Sequence, residues 1–375
     1  MMAAHAPLDP NADRRYMAEA IALSLKHRGL TAENPSVGAV IVQTEPDGDG
    51  IVGRGVTAIG GRPHAELQAL AEAGALAKGA TVYATLEPCS HIGRAPPCAD
   101  ALVSAGVARV VIATLDPDIR VAGRGVSILE RAGVAVTTGC MEAEARRAMA
   151  GFLSLKGRGR PYVTLKLAVS QDGMIGRKGA GQLAITGPDA RHEVQLMRLE
   201  HEAVLVGVST VIEDDPLLTV RLPGLEQRTP TRVIVDPFGR TPPSARLLDS
   251  AARHPVLILV SEKAASRQTV LLKDRGAIVR PIASDYRGRF HPQEILRVLG
   301  ILGLKSVFVE GGAETARRFL EAGLVDRIRL FKSDVVVGEG GIVSPLSEAN
   351  IPEGFTLLDM RRFGGDRLVD YERPF

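Results

Sequence analysis

Four residues have the types and spacing to do chemistry: His64, Glu66, Cys89 and Cys98. One histidine and two cysteines give zinc three protein ligands and leave the fourth tetrahedral position for water, the arrangement of a catalytic rather than a structural metal. Glu66, two residues past the histidine, is then left over. Zinc deaminases use such a carboxylate to move protons between the water, the ring nitrogen and the departing amine. The metal matters because it lowers the pKa of bound water from roughly 16 to about 7. Singly these residues say little, since reduced cysteines are commonly small buried hydrophobes and a loop histidine is ordinary. Jointly, His-x-Glu followed by Pro88-Cys89 and a second cysteine points to zinc. Cys140 has no such partners and reads as a packing residue.

The spacing constrains the elements that hold these groups. Positions i and i+2 do not share a face of a regular helix, so His64 and Glu66 approach one metal only near a helix end. Gly60-Gly61-Arg62-Pro63 reads as loop, and the apolar spacing of Leu67, Leu70, Ala71 and Ala75 begins directly after it. Cys98 opens a second predicted helix, 98–105, stopped by Gly106. Helix N-termini favour anions, which suits both thiolate and hydroxide.

Around these helices the chain alternates. Asp13 is expected to cap a helix whose apolar face includes Met17, Ile21 and Leu25. Residues 37–42 and 51–58 read as strands joined in a hairpin by Asp47-Gly48-Asp49-Gly50. Further strands are predicted at 81–86, 110–114 and 134–138, with a helix at 125–131. The strand at 81–86 delivers the Cys89 loop from its C-terminal end, where open α/β sheets place their chemistry. A basic, Gly-rich joint, Lys156-Gly157-Arg158-Gly159-Arg160-Pro161, divides residues 1–156 from residues 157–375.

The second half reads as another α/β domain, with strands at 162–169, 203–208, 232–236, 256–260, 277–281, 306–310 and 327–331. A helix begins at Thr186-Gly187-Pro188. Two turns, Gly207-Val208-Ser209-Thr210 and Glu310-Gly311-Gly312-Ala313-Glu314-Thr315, each follow a strand and open a helix. Free amides there could hold a phosphate, or the glycines could serve the turns alone; neither stretch is the Gly-x-Gly-x-x-Gly fingerprint. Arg198 and Arg221 could clamp a phosphate or lie solvated on the surface.

Composition excludes several classes. A chain of 375 residues with 45% hydrophobic and 24% charged residues is globular and long enough for two or three domains. A net charge of +3 and 4% aromatic residues give neither the basic groove nor the stacking platform of a nucleic-acid enzyme. Residues 1–11 lack the charged start and apolar core of a signal peptide, and no run reaches the ~18 apolar residues of a membrane span. A cytoplasmic enzyme without membrane or nucleic-acid partners is expected.

The motifs resemble the bifunctional riboflavin-biosynthesis deaminase/reductase family over nearly the whole chain. In the first half they are Asn34-Pro35-Ser36-Val37-Gly38, His64-Ala65-Glu66 and Leu86-Glu87-Pro88-Cys89-Ser90-His91, with Gly93-Arg94 and Pro96-Pro97-Cys98. In the second they are Leu165-Lys166-Leu167-Ala168, Ser170-Gln171-Asp172-Gly173, Val206-Gly207, the run from Asp214 to Arg221, and Glu310-Gly311-Gly312. The eight residues between the cysteines are the most specific feature, because cytidine and adenosine deaminases keep only two.

The resemblance implies a cytidine-deaminase-like layered α/β domain and a dihydrofolate-reductase-like α/β domain. The first would remove the 2-amino group of a diaminopyrimidinone carrying ribosylamino 5-phosphate, and the second would reduce ribosyl to ribityl with NADPH. By similarity His64, Cys89 and Cys98 hold one Zn²⁺ and Glu66 shuttles the proton, while Asn34, His91 and Arg94 meet substrate. In the reductase half Ala168, Thr210, Asp214 and Gly312 match cofactor positions, and Arg198, Leu218, Arg221 and Glu310 match substrate positions. Lys166 and Asp172 are motif residues without an assigned role. A homo-oligomer is expected. The chain departs from the family's Ser-x-Trp-Ile-Thr at Gln182-Leu183-Ala184-Ile185-Thr186, contains no tryptophan, and has Pro237 where a serine can occur. Two alternatives follow: a zinc deaminase whose second domain only binds nucleotide or serves assembly, and a polynucleotide-editing deaminase, which the composition disfavours.

Overall fold

The structure is a computed structural model that describes residues 10–45, 48–91, 96–118, 122–264 and 267–374. The chain divides into two units, Met1–Arg158 and Gly159–Phe375. In the first, the β-branched runs form β1 (Gly38–Glu45), β2 (Gly48–Val56), β3 (Thr81–Leu86), β4 (Arg109–Thr114) and β5 (Ala135–Thr138), in the order β2-β1-β3-β4-β5. β1 is antiparallel to both neighbours, and β3, β4 and β5 are parallel. Val40, Ile41, Val82, Val110 and Ile112 are fully buried in its core. This explains why β4 reads as a continuous apolar run rather than an alternation.

Two local expectations change. β1 and β2 pair Glu45 with Gly48, so Gly48, Asp49 and Gly50 belong to a strand, and the reversal falls at residues 46–47, outside the described residues. The first helix is Pro10–Leu25, which puts Asp13 inside its first turn instead of at the cap. The Asp13 carboxylate accepts a hydrogen bond from the Tyr83 hydroxyl at 2.8 Å and two from the Arg109 guanidinium at 2.9 and 2.7 Å. Its role is to neutralise a buried arginine, which a helix N-terminus assists by favouring the carboxylate.

The second unit contains β6 (Tyr162–Val169), β7 (Met174–Arg177), β8 (Ala203–Gly207), β9 (Thr231–Val235), β10 (Val256–Ser261), β11 (Ile278–Ile282), β12 (Ser306–Val309), β13 (Arg327–Lys332), β14 (Gly341–Val343), β15 (Thr356–Phe363) and β16 (Asp366–Glu372). Its nine-stranded sheet has the order β11-β10-β9-β8-β12-β6-β13-β16-β15, with β7 and β14 paired separately. From β11 to β13 neighbours are parallel, and β16 and β15 close the sheet antiparallel. The chain steps outward from β8 to β11, then returns to place β12 between β8 and β6. That reversal makes a topological switch point between β8 and β12, where open α/β sheets leave a crevice at the carboxyl ends of the strands.

The sequence did not predict the β15–β16 hairpin. Thr356–Phe363 carries Asp359, Arg361 and Arg362 and is mostly exposed, so pairing with β16 rather than an apolar alternation makes it a strand. Among the described residues, no helix is long and apolar enough to cross a membrane.

Candidate active sites

In the first unit a close helix–strand contact sets the position of the histidine. Helix Ala65–Ala73 lies against β2 with buried Ala65, Ala69 and Ala73 facing Gly53 and Gly55. A Cβ on Gly55 would stand 1.9 Å from the Ala65 carbonyl oxygen, and one on Gly53 2.2 Å from that of Ala69, so only glycine permits this approach. His64 is the N-cap of that helix in an extended conformation, as the spacing requires. Cys98 is the first residue of helix Cys98–Ser104, and Cys89 sits three residues beyond β3. The Cys98 amide donates to Cys89 Sγ at 3.3 Å.

The three donor atoms converge. His64 Nδ1 lies 3.6 Å from Cys89 Sγ and 3.4 Å from Cys98 Sγ, and all three lie within 4.8 Å of one another. Ligands at zinc bond lengths in a tetrahedron stand roughly 3.5–3.8 Å apart, so the nitrogen–sulfur separations fit the ion. The charges fit it too. Cys89 is pulled down to about 4, first by a hydrogen bond from Cys98 and against desolvation, while Cys98 is pushed up, first by that same bond and then by burial and Glu66. The protein alone thus stabilises one thiolate and resists the second; a divalent cation removes that resistance. Glu66 is buried and pushed up to about 7, chiefly by desolvation and further by Cys89, with a backbone hydrogen bond, His64 and a bond to Cys98 opposing.

A carboxylate not predicted to have a role organises the rim. Glu87, buried directly before Pro88-Cys89, accepts backbone hydrogen bonds from Asp116 at 3.2 Å, Gly123 at 3.0 Å, Gly125 at 2.8 Å and Val126 at 3.4 Å. It ties the cysteine loop to the segment after β4. Its place in the Glu-Pro-Cys run was the available signal. Asn34 donates to the Gly61 carbonyl at 3.2 Å, bracing the loop that leads to His64. His91 is exposed just past Cys89, and Arg94 lies outside the described residues.

In the second unit the two glycine turns meet at the β8/β12 switch point. A Cβ on Gly207 would stand 2.8 Å from Thr315 Oγ1, one on Gly311 2.7 Å from Thr315 Cβ, and one on Gly312 3.6 Å from Thr210 Oγ1. Gly207 and Gly312 are both extended N-caps, of helices Val208–Asp214 and Ala313–Glu321, so free amides open toward the strand ends. Gly207 and Gly311 are required by the close approach of Thr315, and the N–H groups of the two helix starts are of the kind that bind phosphate.

Beside them the predicted substrate residues pair with one another. Arg198 grips Glu310 bidentately at 2.6 and 2.9 Å and donates to the Thr219 carbonyl at 2.8 Å. The Lys166 amine stands 5.7 Å over the Phe331 ring; burial lowers its pKa, and Glu310 partly restores it. Arg221 is exposed, and desolvation followed by repulsion from Arg198 lowers its pKa. Leu218 is buried with a φ of 56°. Asp214 ends its helix half-buried, and Ala168 packs partly buried against the core. Asp172 points elsewhere, accepting from Ser170 Oγ at 2.6 Å and from the amides of Val337 and Gly338 at 3.0 and 2.7 Å, which pull it down to about 2. Gln182 and Ala184 are exposed, and Pro237 is half-buried after β9.

Both units match known proteins. Residues 10–114 match the cytidine and deoxycytidylate deaminase zinc-binding region, and residues 161–369 match the RibD C-terminal domain. The riboflavin biosynthesis protein RibD of Aquifex aeolicus is 39% identical, covering 96% of this chain and 98% of its own, and that of Escherichia coli is 39% identical, covering 87% and 89%. A Thermotoga maritima structure described as a diaminohydroxyphosphoribosylaminopyrimidine deaminase/5-amino-6-(5-phosphoribosylamino)uracil reductase superposes with a TM-score of 0.83 at 32% identity, covering 98% of this chain and 99% of that one. Acinetobacter baumannii RibD, form 1, gives 0.80 at 35% identity, covering 98% and 100%. With a cytidine-deaminase-like unit followed by a dihydrofolate-reductase-like one, the chain belongs to the RibD family of bifunctional riboflavin-biosynthesis deaminase/reductases.

Proposed function

We propose that the first unit hydrolyses the 2-amino group of 2,5-diamino-6-(5-phosphoribosylamino)pyrimidin-4-one at a zinc site, and that the second reduces the ribosyl group of the product to ribityl phosphate with NADPH. The observation that carries this is the convergence of His64, Cys89 and Cys98 beside a buried Glu66 that is not needed as a ligand. His64 Nδ1 and the two sulfurs would hold the ion. Bound zinc supplies the Lewis acidity that brings hydroxide within reach at neutral pH. Glu66 takes a proton from water and returns protons to the ring nitrogen and the leaving amine, so that water replaces ammonia at the ring carbon. Burial of Glu66 keeps bulk water from competing for that proton.

For the reduction, the turns at Gly207 and Gly312 would hold the cofactor's phosphates, with Thr210 and Asp214 alongside. NADPH supplies the hydride. Arg221, exposed and not neutralised by Glu310 as Arg198 is, suits the substrate's phosphate. Gln182 and Ala184, exposed before helix Pro188–Leu199, replace a stacking surface with small contacts, so weaker cofactor affinity than a tryptophan-bearing relative is expected.

A mass-spectrometric time course of zinc-loaded protein with the diaminopyrimidine ribosyl phosphate tests both steps. Deamination without NADPH, followed by a product two hydrogens heavier once NADPH is added, is the expected result. A reaction that stops at the deaminated ribosyl compound would refute the reductase half.

A further inference from the structure

Arg232, the second residue of β9, is completely buried, and among the described residues no carboxylate pairs with it. The two hydrogens of Nη1 are shared among the Leu247 carbonyl at 2.7 Å, Ser250 Oγ at 3.0 Å and, longest of the three, the Leu217 carbonyl at 3.3 Å, and Nη2 donates to the His254 carbonyl. Nε has no partner. Burying a cation without a counter-ion is costly, and an apolar side chain of similar volume would fill the same space at less cost. What only the guanidinium provides is the set of bonds to carbonyls of separate segments.

One of those carbonyls belongs to a special place. Leu217 precedes Leu218, a buried branched residue held at a φ of 56°, in the left-handed region that bulky side chains avoid. Such a conformation persists only where the surroundings over-determine it. The surrounding run is strapped down residue by residue: Asp215 Oδ1 accepts from the Arg246 amide at 2.9 Å, the Thr219 carbonyl from Arg198 at 2.8 Å, the Val220 amide donates to Thr229 Oγ1 at 3.0 Å and the Arg221 amide to Gln195 Oε1 at 3.0 Å. Two arginines flank the strained residue, Arg232 on the Leu217 carbonyl before it and Arg198 on the Thr219 carbonyl after it. The run they hold starts at Asp214 and ends at Arg221, the positions proposed for cofactor and substrate.

We infer that Arg232 is a positioning residue of the reductase site: through the Leu217 carbonyl it holds the Leu217–Leu218 turn in its strained form and so places Asp214 and Arg221 together. This rests on the reductase reading above. Loss of that bond leaves the turn free to relax, which displaces the substrate side of the site more than the glycine turns.

The test uses the full zinc-loaded chain, whose deaminase step is an internal control. Arg232→Met, which removes the unpaired charge at similar volume, should leave ammonia release unchanged and raise KM for the ribosyl substrate at least tenfold, with kcat changed less than threefold. Arg232→Lys, which keeps the charge but loses the fork, should raise the same KM by a smaller factor and serves if the methionine variant does not fold. A wild-type KM in a folded variant would overturn the inference, as would an equal fall in kcat with KM unchanged. Failure of the unsubstituted protein to reduce at all would instead remove the reading on which it rests.

Discussion

The two sites are built by opposite means. In the first unit, side chains from three separate segments converge on one point: the N-cap His64, the loop Cys89 and the helix-opening Cys98, with Glu66 alongside. In the second, the proposed binding surface is backbone, two glycine turns at a switch point, and the charges of Arg198 and Glu310 are spent on each other. A metal needs specific atoms at fixed distances, so its site is written in residue types. A dinucleotide needs amides and empty space, so its site is written in topology. Substitutions should therefore act differently in the two halves: removal of one functional group in the first, addition of bulk or loss of a pairing in the second.

The sharpest separation should come from Glu66→Gln. It keeps the three ligands and the volume, so zinc content by mass spectrometry should be unchanged while ammonia release falls roughly 100- to 10,000-fold, the usual share of a proton shuttle. Reduction of pre-deaminated substrate should proceed at the wild-type rate; a parallel loss there would break the independence of the two sites.

Arg198→Met should act through stability. It leaves Glu310 charged and buried without its bidentate partner, a loss of about 3–5 kcal/mol by analogy with other broken buried pairs. Urea unfolding followed in the second unit would measure it, and a loss under about 1 kcal/mol would mean the pair is solvated after all.

Gly55→Ala adds only a methyl group, yet it places that group against the Ala65 carbonyl and must push the His64 helix away from β2. Zinc affinity, read by competition with a chelator, should fall about 10- to 100-fold, as when a ligand loses its support. Unchanged affinity would show that the ligands, not the helix packing, fix the geometry.

The smallest effect is expected from Gly207→Ala, whose Cβ would meet the Thr315 hydroxyl rather than backbone. NADPH affinity should fall by less than about tenfold, because only a side-chain hydroxyl has to give way. Thr315→Ala in the same chain should restore most of it. Absence of that rescue would place the cofactor away from the switch point.

Much of the first site was legible because its signals are local. The loop Gly60-Gly61-Arg62-Pro63 followed by apolar helical spacing placed His64 at a helix start, and the helix read at 98–105, stopped by Gly106, did the same for the second cysteine. Asp13 misled, because an acid in a first turn reads as a cap until Tyr83 and Arg109, 70 and 96 residues away, are seen to claim it. Glu87 and Arg232 were passed over because their partners are mostly backbone groups brought close by folding; the Glu-Pro-Cys run marked the position of Glu87 but not those partners, and nothing in the residues marked Arg232.

The sequence by itself determined the candidate metal ligands, the carboxylate proposed to carry the proton, the alternation of strands and helices, and the family, since these depend on residue type and short spacing. Only the tertiary structure decided that Gly53 and Gly55 seat the histidine helix, that β12 returns between β8 and β6 to open a crevice, that Arg198 is committed to Glu310, and that Leu218 is held in a strained turn. Those are matters of distance between parts of the chain far apart in order, and a one-dimensional pattern carries no distances.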